Sequence, residues 1–311
     1  MATHKLTDWT GDSAKLLPTN VSSSIWKKAT AKSIIPTLAT STPIIIGENT
    51  FPIVNKRPAA SIVGEGQNKP DSEIGMTSKT VKPIKAVVGL EFTMETILTN
   101  PGGVLGLLEE ELSAALARQV DLAVLHGRQA SNGAALTGGV EFINQTTNRV
   151  SLDPAGKLDA ALWDGYGLVV NTDTKQEESH DFTGFAIDPR LVYQLANERD
   201  DKGVRINPDI RMGAQEASIG GLPTAVSRSV SGQVDASADT RVRAFGGDWD
   251  ALRFGYSFNL RTKKIEYGDP FGNGDLQRRN AVAFMTEAIF GWAVLDKDAF
   301  VAYETPSPVV P

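Results

Sequence analysis

Histidine and cysteine, the side chains most often used near neutral pH to shuttle a proton, ligate a metal or attack as a nucleophile, are scarce in this chain, which has three of the first and none of the second. His4 lies in a polar N-terminal stretch, His126 ends a helical pattern, and His180 sits in the polar run Gln176 to Asp181. No pair has the spacing of a zinc site and no H-E-x-x-H occurs, so each reads as an ordinary surface or cap histidine. Without cysteine there are no disulfides and no thiolate ligands. Neither a G-x-S-x-G elbow nor a Walker A loop is present. Gly64-Glu65-Gly66 opens like a dinucleotide fingerprint, but Lys69 holds the third glycine position and no helix follows. Gly165-Tyr166-Gly167 likewise lacks its last glycine. Asp269, Asn273 and Asp275 imitate calcium-ligand spacing only loosely, as turns rich in these residues often do. Asp248-Trp249-Asp250 is an equally weak carboxylate pair, and Trp163, Trp249 and Trp292 read as core anchors rather than a stacking platform. The expectation is no catalytic residue, no cofactor-binding residue and no metal ligand.

The chain as a whole is a folded type, 41% hydrophobic and 22% charged over 311 residues, enough for one sizeable core or two smaller ones. Its net charge of −6 argues against a dedicated nucleic-acid binder, which needs a basic excess to neutralise phosphates. No apolar run is long enough to cross a bilayer, and Met1 to Lys5 lacks the apolar centre of a signal peptide. A soluble protein made in the cytoplasm is expected.

The elements are clearer than the chemistry. Residues 1–49 form an arm in which Ile25-Trp26, Ile34-Ile35 and Ile44 to Ile46 punctuate polar sequence, a spacing suited to piecewise docking on a neighbouring molecule. From Thr50 to Met94 the chain makes a long two-stranded excursion. Its first arm holds Phe51, Ile53 and Val54, and its far end is the turn-forming cluster Gly64 to Ser72. Its second arm runs from Thr80. Val88, Leu90, Phe92 and Met94 then alternate with Gly89, Glu91, Thr93 and Glu95, the period of a half-buried strand. An isolated ribbon of this kind is marginal in water, so it must lie on another surface, and a neighbouring subunit is the simplest.

A long helix follows, with Asn100 as cap and Pro101 in the first turn. Leu108, Leu112, Leu116, Val120 and Val124 recur at every fourth residue. From Val104 to His126 it would extend roughly 35 Å. A mixed region comes next: a helix over Leu158 to Val170, a buried strand over Phe182 to Ile187, and a short helix capped by Asp188. The charged run Glu198 to Gly203 reads as a solvated turn, and short strands follow at Thr224 to Val226 and Val242 to Phe245. The pattern predicts long strands over Leu252 to Tyr267 and from Ala281 into Val294. The loop Gly268 to Asp275 separates them, and Asp296 to Tyr303 completes the fold. The class is α+β.

This order of elements resembles the Hong Kong 97-type major capsid proteins of tailed phages. Ala60-Ser61-Ile62-Val63-Gly64-Glu65-Gly66 with Lys69-Pro70 looks like that family's extended loop, and Lys82-Pro83-Ile84-Lys85-Ala86 looks like its return strand. Phe185 to Pro189, Asp201-Lys202-Gly203, Gly221 to Thr224 and Gly247-Asp248-Trp249 are similar to its axial domain. Arg279, Phe284, Trp292, Asp296 and Ala299-Phe300 are similar to its closing strand. The resemblance implies an N-terminal arm over 1–49 and an extended loop over 50–88. It implies a peripheral domain over 89–150 and 252–285 with a spine helix at 104–126, and an axial domain over 151–251 and 286–311.

By the same resemblance the protein builds pentamers and hexamers of an icosahedral head around double-stranded DNA, touching that DNA non-specifically. It would be assembled in the host cytoplasm, reside in the virion, and have no membrane partner. Its partners would be its own copies, a portal and a decoration protein. Since no scaffolding segment precedes the arm, the resemblance also implies either a separate scaffolding protein or a chain already lacking that segment. Inter-subunit contacts are expected at Trp26, Glu65, Lys69, Lys82, Lys85, Asp269, Asn273, Arg278 and Arg279. The rival readings are an encapsulin-type compartment shell, which shares the fold, and a soluble α/β enzyme using Asp248, Asp250 or His180.

Overall fold

The computed structural model describes residues 33–95, 101–153, 157–170, 180–208, 210 and 216–306; at 101–110, 216–217 and 258–262 it describes the backbone alone. Trp26 and Asn100 therefore lie outside the described residues. The strands form a two-stranded sheet β1-β2, a three-stranded sheet β3-β10-β9, and a six-stranded sheet β4-β11-β8-β5-β7-β6. The chain divides into two compact units. The smaller takes Ile84–Ala117 and Phe258–Phe290, and the larger Ser33–Pro83, Arg118–Ser257 and Gly291 onward.

In the smaller unit, β3 (Ile84–Thr93) pairs antiparallel with β10 (Ala281–Val294), from Ala281 opposite Thr93 to Phe290 opposite Ile84. Strand period decides what this sheet buries. Val88, Leu90 and Phe92 share one face with Met94 beyond the strand end. They pack on Val282, Phe284 and Ala288 and on Leu112 and Leu116 of helix α2 (Pro101–His126). The rings of Phe92 and Phe284 meet edge to face, 6.3 Å apart. The helix begins at Pro101, the residue expected at its first position because proline's fixed φ suits a helix start, three residues before the 104 bound expected for the spine helix.

The larger unit is built on the six-stranded sheet, whose centre is β5 (Gly184–Ile187), β8 (Val242–Gly247) and β11 (Phe300–Glu304). All four residues of β5 are buried. Phe245 and Phe300 are fully buried as well, each adding on the order of 2–3 kcal/mol of apolar stabilisation. Helix α3 (Leu158–Val170) places Leu158, Leu162 and Val169 in the same core as Phe182, Phe185, Leu191 and Tyr303. Helix α4 (Pro189–Asn197) starts where expected: the Asp188 carboxylate accepts from the Arg190 N–H at 2.8 Å. The edges are β4 (Arg149–Ser151) and β6 (Glu216–Ile219), the latter paired with β7 (Leu222–Val226).

Several expectations need correction. The return arm of the excursion is two strands: β2 (Gly75–Val81) pairs with β1 (Asn49–Lys56), and β3 joins the other sheet. Pro83 stands at the break, where it has no N–H to continue a ladder. The arm segment around Ile34, Ile35 and Ile44 docks on its own chain, since all three are buried, as Asp121 accepts from the Ile34 N–H and the Thr42 N–H donates to the Phe254 carbonyl of β9 (Leu252–Ile265). Trp249 and Trp292 are core anchors, but Trp163 is 58% exposed on the outer side of α3. The boundary between units falls after Ala117, within α2, because Leu122 packs with Ala130 and Val234 of the larger unit. Among the described residues no helix is long and apolar enough to cross a membrane.

Candidate interaction surface

The β1–β2 ribbon runs in register from Asn49 opposite Val81 to Lys56 opposite Gly75, with an irregularity between Val54 and Lys56. Asn55 and Lys56 there crowd Gly75, where an added Cβ would lie 2.4 Å from the Asn55 side-chain oxygen. Every residue from Val54 to Ile74 is exposed. Internal ties are few: the Ala59 N–H donates to Ser72 Oγ at 2.8 Å, Lys56 pairs with Glu73 at 3.0 Å, and a turn closes at Gly64 to Gln67. Ile62 is fully exposed, Ile74 and Met76 are more than half exposed, and Val54 nearly so. These apolar side chains are presented to solvent along a ribbon that its own chain does not cover.

Of the residues expected at subunit contacts, Glu65 and Lys69 stand exposed in the irregular end of this ribbon. Lys82 and Lys85 are engaged within the chain, with Glu48 at 2.9 Å and Glu287 at 3.0 Å. Asp269, Asn273, Arg278 and Arg279 share one loop of the smaller unit. The Asp269 carboxylate accepts the N–H groups of Asn273 at 2.8 Å and Gly274 at 2.9 Å. The Gly274 N–H, chief among these donors, lowers its pKa. Arg279 is held by Glu91 at 2.5 Å and by the Gly274 carbonyl at 2.9 Å, whereas Arg278 is exposed. This loop is pre-ordered and presents Asp269, Asn273 and Arg278 to solvent.

His126 and His180 do structural work, and His4 lies outside the described residues. His126, expected at the surface, is buried: Nε2 contacts the Val230 carbonyl at 2.9 Å, Nδ1 faces Asn144, and burial lowers its pKa to about 4. His180 lies 3.2 Å from Asp296 and 3.9 Å from Asp248, and the hydrogen bond to Asp296 raises its pKa. Among the described residues no cluster of three or more histidines and carboxylates is placed to hold a metal ion. Sequence reasoning missed the exposed Ile74 and Met76 and the linkage of Lys79 to Glu141. An apolar pair within a polar ribbon was the only signal for the first.

The sequence model of the phage capsid family matches residues 14–305. The chain belongs to the phage capsid family. A curated relative in Mycobacterium phage L5, named a probable major capsid protein, is 28% identical over 268 residues, covering 78% of this chain and 75% of its own length. A chain in a solved structure from Gordonia phage Cozz is 56% identical with a TM-score of 0.77, covering 88% of this chain and 87% of that one. Another, from Mycobacterium phage Ogopogo, is 30% identical with a TM-score of 0.75, at 88% and 92% coverage. As in these capsid relatives, helix and sheet are mixed throughout.

Proposed function

We propose that this chain is the major capsid protein of a tailed phage, a shell subunit of Hong Kong 97-type architecture. The β1–β2 ribbon is its extended loop, the smaller unit its peripheral domain with α2 as spine, and the larger unit's six-stranded sheet the body of its axial domain. Copies associate head to tail into pentameric and hexameric rings, which close into an icosahedral head around double-stranded DNA. Each bound neighbour raises the effective concentration of the next contact, so modest surfaces add up to a stable shell. A scaffolding protein, a portal and a decoration protein are the further partners, and contact with DNA is non-specific.

One observation carries this reading: residues 54–74 form a projecting ribbon wholly exposed on its own chain, apolar side chains included. Family membership supplies the partner, a second copy. The experiment is electron microscopy of the overexpressed full chain, with scaffold supplied, beside a variant in which residues 57–74 are replaced by Asn-Gly. The full chain should give closed particles, and the variant should fold but leave open or no particles. A full chain that stays monomeric at high concentration overturns the reading. Particles filled with protein cargo rather than DNA in infected cells would favour a compartment shell instead.

A further inference from the structure

Among the described residues, a shielded ion pair ties the ribbon to the rest of its chain. Lys79, on β2 opposite Phe51, donates from Nζ to the Val294 carbonyl at 2.5 Å and pairs with the Glu141 carboxylate. The other oxygen of that carboxylate takes Lys297 at 3.2 Å. The Glu141 backbone is itself fixed, because its carbonyl accepts the indole N–H of the buried Trp292 at 2.7 Å. Lys79 and Glu141 are 27% and 33% exposed, against 59% and 82% for Lys56 and Glu73 farther along the ribbon. A solvated pair of the latter kind contributes little, whereas a shielded carboxylate shared by two ammonium groups resists water and salt. Burial alone would raise the Glu141 pKa; hydrogen bonds from Lys79 and Lys297, with their charges, outweigh it and leave it below the ordinary value.

The direction of the ribbon needs such an anchor. β1 and β2 are a sheet of their own, sharing no ladder with either larger sheet. The ribbon's roots are Gly47, at φ +128° with open space around it, and the Lys82-Pro83 step. The Asn49 side chain closes the first root locally on Ile45, and the Lys82–Glu48 pair beside it is well exposed. Neither reaches the six-stranded body.

We propose that Glu141 is the positioning residue that aims the ribbon: by joining Lys79 to Lys297 it sets where the exposed apolar stripe points, and so which surface of a second copy it reaches. This rests on the shell reading above. Ribbon direction then becomes a determinant of shell curvature carried by one carboxylate.

The test uses the full chain, which conveniently has no cysteine. Ser61→Cys and Arg228→Cys, both exposed positions, carry spin labels, and labelled chain is diluted in excess unlabelled chain so that only distances within one subunit are read. Glu141→Gln should broaden the distance distribution and cut the yield of closed, uniform particles roughly tenfold, since every misaimed contact loses its avidity. Lys79→Met, which leaves the Glu141–Lys297 pair in place, should do the same, while Lys79→Arg and Lys56→Met should keep both readouts. An unchanged distance distribution and particle diameter in Glu141→Gln overturns the proposal. Should that variant fail to fold, Lys79→Met decides by the same two measurements. If the unmutated chain forms no particles, the shell reading fails, and the distance measurement on the free chain still judges the anchor.

Discussion

The ring of Phe271 rests on Gly89, so closely that a Cβ added to the glycine would lie 2.4 Å from Cζ and 2.5 Å from Cε1. Gly89 belongs to the outward row of β3, and Glu91 in the same row holds Arg279. The loop 268–279 is thus pinned to two successive positions on one strand. Gly89→Ala should push the ring off rather than distort the strand, because Cζ is the free end of a loop side chain. We expect a loss of about 1 kcal/mol and several-fold faster tryptic cleavage at Arg278. Phe271→Ala should match it, and the double variant should add nothing further. Additive effects would show that the two residues act separately.

Two glycines of α3, two residues apart, should respond oppositely to the same substitution. At Gly165 an added Cβ would stand 2.2 Å from the Tyr303 hydroxyl, which is buried and donates to the Leu162 carbonyl at 3.0 Å. Tyr303 cannot move without losing that bond. Gly167 has nothing within 4 Å. Gly167→Ala should therefore stabilise the helix by about 0.5–1 kcal/mol, relieving glycine's backbone entropy. Gly165→Ala should destabilise by about 1–3 kcal/mol through overpacking. Thermal midpoints of unassembled subunits moving in the same direction would refute this account of α3.

His126 and His180 should give stability opposite pH dependences. His126, held down to about 4, contributes stability present above its unfolded pKa of 6.5 and lost as pH falls toward 4. That shift corresponds to about 3 kcal/mol, so His126→Gln should flatten the acid limb of unfolding free energy against pH. His180 is raised, chiefly by the hydrogen bond to Asp296, so its contribution is present below 6.5 and lost as pH rises above it. Asp296→Asn should weaken the protein mainly at pH 5 to 6 and little at pH 9. Equal effects at both values would mean that the imidazole is neutral throughout.

Much of the architecture was legible because local pattern and tertiary demand agree there. The alternation from Val88 to Met94, the four-residue spacing from Leu112 to Val124, and the Asp188-Pro189 helix start each state one structural solution. Legibility failed where a segment is apolar on more than one side. In α3 the buried row is Leu158, Leu162, Gly165 and Val169, so a glycine faces the core and Trp163 faces out, against side-chain size. Residues 121–127 are buried all round, which hid the fate of His126. Of the candidate surface, the projecting ribbon was evident from its polarity and length. The Lys79–Glu141 link was not, because nothing local to either residue encodes which distant carboxylate a lysine will meet.

Asp121 poses the sharpest electrostatic test. Its side chain is buried in α2 and accepts from Ser33 Oγ, from the Ile34 N–H at 3.2 and 3.4 Å, and from Ser229. It thereby holds the segment leading into α1 (Ile35–Leu38) against the long helix. Burial nevertheless dominates and raises its pKa to about 7, while its charge, after burial itself, helps push the Tyr256 hydroxyl upward. A raised folded pKa means stability that is complete below the ordinary value of 3.8 and is lost as pH climbs toward 7. Asn at this position keeps one acceptor and never ionises. The advantage of the natural chain over Asp121→Asn should therefore shrink with rising pH by up to about 1.4 kcal/mol per unit between roughly 4 and 7. Ser33→Ala should lower stability without flattening that slope, since it removes a donor but leaves the acid. Chemical unfolding of unassembled subunits at pH 5 and pH 8 measures both differences. A pH-independent gap for Asp121→Asn would mean that the carboxylate is ionised across the range, and that the arm is held by a charge rather than by an acid near its midpoint.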